Sequence, residues 1–296
     1  MNDFIKKALR AIWLTIVVMA VVLIGGVLAI QLPQVQTFAV QQVMHRLTES
    51  IDGEIKFEKI HLKPFTTLVV KNIAIIDKNP PVNPHAPQEA PTDTLFSAEY
   101  IIARFTLDGL IRQNGIHLGK TYVNNARFNL VIENKEDSGD GGTSTNNLSR
   151  MFKLKRKADS QYSEEELFHI RKVIVKNMRF SMKNHLHDRN EYEKGIDWND
   201  LDIRNINVNA KELQFKDGIM TGTADEASFT EKSGYRVNSM SGSVKVGRGK
   251  TIITDLYIRD QWSEVFLPKY RMSYRSAKDF SDFTSKVKID ARVAES

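Results

Sequence analysis

Hydrophobic positions follow three patterns in succession along this chain. Residues 11–30 form an apolar run without a charged residue. Between Pro33 and Leu47 the apolar residues recur at spacings of three and four, which is typical of an amphipathic helix that begins at a proline. From Gly53 the spacing changes to two and stays so almost to the C-terminus, which predicts β-strands. The pattern therefore predicts two N-terminal helices followed by a mostly β chain.

The apolar run predicts a transmembrane anchor over residues 11–31. Twenty helical residues at about 1.5 Å each span roughly 30 Å, which matches the hydrocarbon core of a bilayer and exceeds the apolar segment of a cleaved signal peptide. A buried core helix is the alternative. Basic residues precede the run and none follows until Arg46. The positive-inside rule therefore places the N-terminus in the cytoplasm through Lys6, Lys7 and Arg10, and the bulk of the chain outside it.

Composition and pattern together divide the chain into six segments. They are a cytoplasmic N-terminus (1–10), the anchor (11–31), the amphipathic helix (32–52), a first β region (53–133) with a proline-rich loop (79–94), a mobile loop (134–166), and a second β region (167–296) that continues the same sheet or is truncated. The mobile loop is rich in Gly, Ser and charged residues, with a helical turn near Leu148 to Leu154. The predicted fold class is mostly β: a long curled antiparallel sheet that forms a groove, with short helices.

A short motif recurs in this β pattern. Alternating apolar residues lead to a polar residue plus asparagine, after which the alternation resumes with its phase shifted by one. Asparagine tolerates positive φ, so a bulge at this residue would return the apolar set to the same face of the sheet. A two-residue turn is the competing interpretation. The candidate bulge residues are Asn72, Asn125, Asn177 and Asn205.

Charge and composition narrow the function classes. The chain has no cysteine, which excludes a disulfide scaffold and thiol chemistry and suits an oxidising compartment. Its net charge of +6 favours anionic lipid headgroups over nucleic acid for a chain that crosses a membrane. We find no credible catalytic constellation, cofactor motif or metal-ligand spacing. The sequence therefore predicts a protein that is not an enzyme and needs no cofactor or metal.

The order of elements resembles the N-terminal region of the AsmA-like superfamily, and within it the TamB translocation and assembly module proteins of Bacteroidetes. The stretches that carry this resemblance are the anchor with LPQVQTFAVQQVMHRLTESIDGEIKFEKIHLKPFTTLVVKNIAIID, then LFSAEYIIARFTLDGLIRQNGIHLGKTYVNNARFNLVIEN, then FTEKSGYRVNSMSGSV. The resemblance implies an inner-membrane anchor, a periplasmic β-groove, and a role in phospholipid transport to, or protein assembly in, the outer membrane. It also implies an outer-membrane β-barrel partner, reached through a C-terminal region that this chain lacks.

Two functions are consistent with these patterns. In the first, the concave face of the curled sheet binds the acyl chains of membrane phospholipid, because long alternating strands present more apolar surface than the few helices can cover. In the second, the sheet closes into a core and serves as a periplasmic scaffold without a lipid conduit. An anchored enzyme is a third interpretation. The candidate groove-lining residues are Ile73, Ile75, Phe128, Leu130, Ile132, Val173, Val175, Ile206 and Val208.

Overall fold

A computed structural model describes residues 52–63, 67–80, 83, 93–105, 116–134, 144–151, 166–186, 195–275 and 286–292. The predicted anchor and amphipathic helix lie outside these residues, as do Lys6, Lys7 and Arg10. Within the described part of the chain, no helix has the length and apolar character needed to cross a membrane.

The described residues form thirteen strands and one short helix. The elements are β1 (Glu54–Lys56), β2 (Lys59–Lys63), β3 (Thr67–Ile76), β4 (Thr94–Phe105), β5 (Ile116–Asn134), β6 (Ser144–Asn146), α1 (Asn147–Met151), β7 (Glu166–Asn184), β8 (Asp200–Lys216), β9 (Ile219–Glu231), β10 (Arg236–Gly247), β11 (Lys250–Asp260), β12 (Glu264–Ser273) and β13 (Lys288–Arg292). The first and second predicted β regions both contribute strands to a single sheet.

All thirteen strands belong to one curled sheet that does not close on itself. Its order is β1-β3-β4-β5-β7-β8-β9-β10-β11-β12-β13, with β2 beside β1 on the same edge of β3 and with β6 on β5. Consecutive strands are therefore neighbours almost throughout, as in a meander of hairpins. The sequence prediction of a mostly β, curled sheet is confirmed.

The prediction that the sheet is antiparallel is wrong at one pair. β5 and β7 run parallel, with Val123 opposite Val175 and Phe128 opposite Phe180. The chain between them returns to the end of the sheet at which β5 began. Hydrophobic alternation is the same for both strand directions, so the sequence pattern contained no sign of this mixed pairing.

Part of the segment predicted to be a mobile loop, residues 134–166, is ordered structure. β6 pairs with the end of β5, and α1 follows it. The Asn147 side chain is buried; it accepts hydrogen bonds from the backbone N–H groups of Val131 and Leu148, both at 3.0 Å. Because the paired part of β4 extends only as far as Phe96, opposite Phe128, β6 and α1 occupy the edge of β5 beyond it. The helical turn predicted near Leu148 is confirmed over residues 147–151.

The four asparagines adopt the backbone conformation that their motif predicts. Their φ angles lie between 47° and 52°, in the left-handed region, and each lies within a continuous strand. The turn interpretation is therefore wrong. On β7 and β8 the motif forms true bulges: two residues, Lys176 and Asn177, oppose the single residue Asn207. At Asn72 and Asn125 the register with β4 is continuous across the kink.

Two tight turns close neighbouring hairpins at one end of the sheet. Asp217 and Gly218 have φ of 54° and 70°, and Arg248 and Gly249 have φ of 51° and 70°. Positive φ at both central residues is the conformation that matches the twist of paired strands. Asp-Gly is a typical sequence for such a turn.

Candidate functional site

A row of apolar side chains crosses the sheet without a polar interruption. Each member lies opposite the next across ten strands, from β2 to β12. At about 4.8 Å between strands, the row extends over roughly 45 Å. We call it the long row; its members are Ile60, Val70, Ile101, Val123, Val175, Val208, Ala227, Met240, Ile258 and Val265.

A second row, the phenylalanine row, lies on the other side of the asparagine kinks. It consists of Ile75, Phe96, Phe128, Phe180 and Ile203, again directly opposite one another. The rings of Phe128 and Phe180 stack with their centroids 6.0 Å apart and an interplanar angle of 10°. The parallel pairing of β5 with β7 is what places these two rings side by side.

The kinks place both rows on one face of the sheet. On β5, exposed residues alternate with less exposed ones from Thr121 to Asn124; Asn125 is also exposed, and from Ala126 to Phe128 the alternation has the opposite phase. The same pair of consecutive exposed residues precedes the phase change at Asn177 and Asn205. Without this shift, the phenylalanine row would face the opposite side. We call the shared surface, formed by the long row and the phenylalanine row, the apolar face.

The structure brings all nine predicted groove-lining residues together on the apolar face. Val173, Val175, Ile206 and Val208 lie on the side of the long row. The rest lie beyond the kinks: Ile73, Ile75, Phe128, Leu130 and Ile132. Every one of the nine is partly buried, neither enclosed as in a core nor fully exposed.

Only one corner of the apolar face has a covering layer among the described residues. There Leu95 and Met151 form a small buried cluster, against which Ile75 and Phe128 pack. Met151 belongs to α1, and an ion pair from Arg150 to the buried Asp77 fastens this helix to the end of β3. Burial opposes the positive charge of Arg150, but hydrogen bonds to Asp77 and Glu133 outweigh it and raise its pKa.

Sequence reasoning missed a second line of kinks on the later strands. Glu212 and Asp255 have φ of 51° and 52°, and register shifts accompany both. Each follows a polar residue and precedes a shifted apolar alternation, as in Ala210-Lys211-Glu212-Leu213. The signal was therefore the same as at the asparagines, with an acidic residue at the kink. Gly242 faces the Asp255 kink with φ of 152°, and a Cβ there would lie 3.2 Å from the Leu256 Cα.

The opposite face of the sheet carries a polar ladder along the asparagine kinks. The Asn177 side chain donates to Asn125 Oδ1 at 2.7 Å, and Asn125 in turn donates to Glu99. The Asn177 backbone N–H donates to Asn207 Oδ1 at 3.2 Å. Side-chain hydrogen bonds thus link the kinks of neighbouring strands and hold them in line.

A buried carboxylate, that of Asp202, lies near the start of β8. Asp202 accepts hydrogen bonds from Arg179 Nε at 2.7 Å and from Arg204 Nε at 2.9 Å. Burial opposes ionisation of Asp202, but these two arginines outweigh it and lower its pKa to about 2. The cluster fixes the bulge at Asn205 against β7, since one arginine comes from each strand.

The far edge of the sheet exposes larger apolar groups. Val265 and Phe266 on β12 are 38% and 41% exposed, and Ile289 on β13 is 47% exposed. Farther in, Phe168 and Phe215 stack at 6.2 Å. No group of three or more potential metal ligands occurs in the described ranges. The apolar face therefore offers a long surface for apolar ligands.

In the described part of the chain, these features define an unclosed β-sheet with one extended apolar face. The chain matches no protein-family model, and a search of curated proteins found no significant match.

Proposed function

We propose that the apolar face binds the acyl chains of membrane phospholipid. One observation carries the proposal: the long row crosses ten strands, while the described elements supply a cover only at the Leu95 and Met151 corner. An exposed apolar surface of this length is costly in water unless it has an apolar partner. Acyl chains provide such a partner without requiring polar contacts, and their headgroups remain in water.

The N-terminal apolar run extends the proposal to the location of the protein and to the process in which it takes part. A helix over residues 11–31 would hold the sheet beside the inner membrane on its periplasmic side, next to a source of phospholipid. The protein would then support phospholipid transport to the outer membrane, or protein assembly there, together with an outer-membrane β-barrel partner. The resemblance to AsmA-like and TamB proteins points the same way.

The length of the long row gives the proposal a quantitative form. One leaflet of a bilayer is about 15 Å of hydrocarbon, half of the roughly 30 Å core. A row of roughly 45 Å is therefore longer than a single acyl chain. The face would hold more than one phospholipid in file, as a conduit requires.

Paired variants on β10 test lipid binding. Met240 belongs to the long row, whereas Ser241, the next residue, faces the reverse side opposite Tyr257. We expect Met240→Asp to lower several-fold the amount of phospholipid that copurifies with the full chain. An acyl chain on this face would cover the new carboxylate, and removing that charge from water costs free energy. Ser241→Asp is the matched control and should leave it unchanged. Phospholipid is quantified by mass spectrometry after mild extraction.

Two outcomes would contradict the proposal. One is a wild-type chain that carries no phospholipid; the other is equal lipid loss in both folded variants. Either result would favour the scaffold function, in which the apolar face packs against protein.

A further inference from the structure

Cationic side chains on the reverse face lie directly opposite one another across strands. Lys120 is paired with Lys172 on β7, and Lys172 with Lys211 on β8. Lys59 faces Lys71, and Arg127 faces Arg179. Like charges at directly opposed positions destabilise a sheet. Because these pairs recur on this face, negative charges bound there would stabilise the sheet.

The chain itself neutralises only part of this charge. Lys211 pairs with Asp225 at 2.6 Å, and Arg179 pairs with Asp202. By contrast, Lys120, Lys172 and Lys176 form no ion pair with any described residue. These three lysines, on β5 and β7, form the centre of a basic patch with Lys71 and Arg127.

Tyrosine and aliphatic side chains lie among these lysines. The Lys120 ammonium lies 4.6 Å from the centre of the Tyr122 ring, and that of Lys71 lies 5.4 Å from the Tyr100 ring. Tyr122 is 37% exposed. Ile102 and Ile174 lie directly opposite Tyr122 on the two neighbouring strands, so an apolar strip runs between the lysine positions.

We infer that this basic patch is a docking surface for an anionic membrane, which contacts the face opposite the lipid-binding one. The lysines would lie among anionic headgroups, and the strip of Tyr122, Ile102 and Ile174 would lie at the boundary of the acyl region, where tyrosine is favoured. The aliphatic side chains of this strip have no counterpart in phosphate-backbone contacts to a nucleic acid. The inference is independent of acyl binding on the apolar face.

The absence of cysteine makes a direct test practical, because one introduced cysteine can be labelled alone. The full chain carries a fluorophore at Asn124→Cys, an exposed position next to the patch on β5. It is reconstituted into nanodiscs of phosphatidylcholine, with or without phosphatidylglycerol, that contain a headgroup spin label. We expect at least three-fold stronger quenching with phosphatidylglycerol, and loss of this gain in about 0.5 M salt, where the Debye length is only a few ångströms.

Matched charge variants locate the effect. The triple variant K120Q/K172Q/K176Q should abolish the gain, whereas K245Q/K250Q/K269Q, with the same charge loss on β10 to β12, should retain it. Equal quenching in neutral and anionic nanodiscs, or equal loss in both triple variants, would overturn the inference. Shielding of the fluorophore from a soluble quencher in both lipids would also overturn it, by showing that protein covers the patch. Tighter binding of a DNA oligonucleotide than of anionic vesicles would assign the patch to nucleic acid instead.

Discussion

At the scale of single residues, the kink asparagines combine a backbone role with a hydrogen-bonding role. A positive φ costs an ordinary side chain free energy, which asparagine largely avoids. Asn125 has φ of 49°, and its amide joins Glu99 on one side and Asn177 on the other. Its neighbour Asn124 is equally exposed but is not among the positive-φ residues.

Substitutions at Asn124 and Asn125 distinguish the roles of the two neighbouring asparagines. Asn125→Val should lower the free energy of unfolding by about 1–3 kcal/mol, because valine is strained at positive φ. Asn124→Val should change it by less than about 0.5 kcal/mol. Asn125→Gly keeps the backbone conformation but loses the hydrogen bonds, so it should fall between them. Urea unfolding measures all three, and equal losses at 124 and 125 would refute the role of positive φ.

The Asp202 cluster predicts a specific dependence of stability on pH. Its folded-state pKa, about 2, lies below that of an unfolded aspartate. Its contribution is therefore fully present above the unfolded value, near pH 4, and is lost as the pH falls toward 2. The contribution is on the order of 1 kcal/mol, allowing for solvent screening of the two half-exposed arginines.

Comparison with Asp202→Asn isolates this contribution. The difference in unfolding free energy between wild type and variant should be constant above pH 4 and should shrink between pH 4 and 2. Chemical denaturation at a series of pH values checks it. A difference that stays constant down to pH 2 would show that the arginines do not stabilise the charged form.

At the scale of elements, the hairpin turns at one end of the sheet restrict the residues beside them. A Cβ at Gly247 would lie 2.4 Å from the Gly218 carbonyl oxygen, in the neighbouring hairpin. Arg248 Nη2 also donates to the Asp217 carbonyl at 3.0 Å, so the two turns support each other. Gly234 has a positive φ of 93°, but a Cβ there would meet nothing within 4 Å.

Gly247→Ala should therefore be more destabilising than Gly234→Ala. Both variants incur strain at positive φ, of about 1 kcal/mol or more. Only Gly247→Ala adds a clash with backbone, and a total loss of roughly 3 kcal/mol or more is expected. Thermal unfolding compares the two variants. Similar melting temperatures would show that the two hairpins can move apart at Gly247 without loss of stability.

The alternation of apolar and polar residues in the sequence predicted some elements and missed others. It located the asparagine kinks, because a phase change beside a residue that tolerates positive φ keeps the apolar set on one face only if the strand bulges there. It missed Glu212 and Asp255 because acidic residues also occur routinely on exposed strand positions. It missed β6, residues 144–146, because Ser, Thr and Asn are typical of loops. The buried amide of Asn147, however, satisfies the backbone of β5.

At the scale of the whole molecule, alternation predicted the apolar face but not its continuity. The nine predicted lining residues lie on it, whereas Val123, Met240 and Phe180 were missed. Their alignment depends on long-range register, and above all on the parallel pairing of β5 with β7, which sequence periodicity does not specify. The sheet remains unclosed because its two edges, β1 with β2 on one side and β13 on the other, do not pair with each other.

The central claim is that the apolar face binds acyl chains on both sides of the asparagine kinks. A phospholipid with a diazirine at the end of its acyl chain tests it most directly, by photolysis in the membrane followed by mass-spectrometric mapping of adducts along β7. We expect adducts at Val173, Val175, Met178 and Phe180, with the phase change at Asn177, and none at Lys176 or Arg179. Adducts on both sets, adducts confined to the second set, or a protein without adducts would contradict the claim.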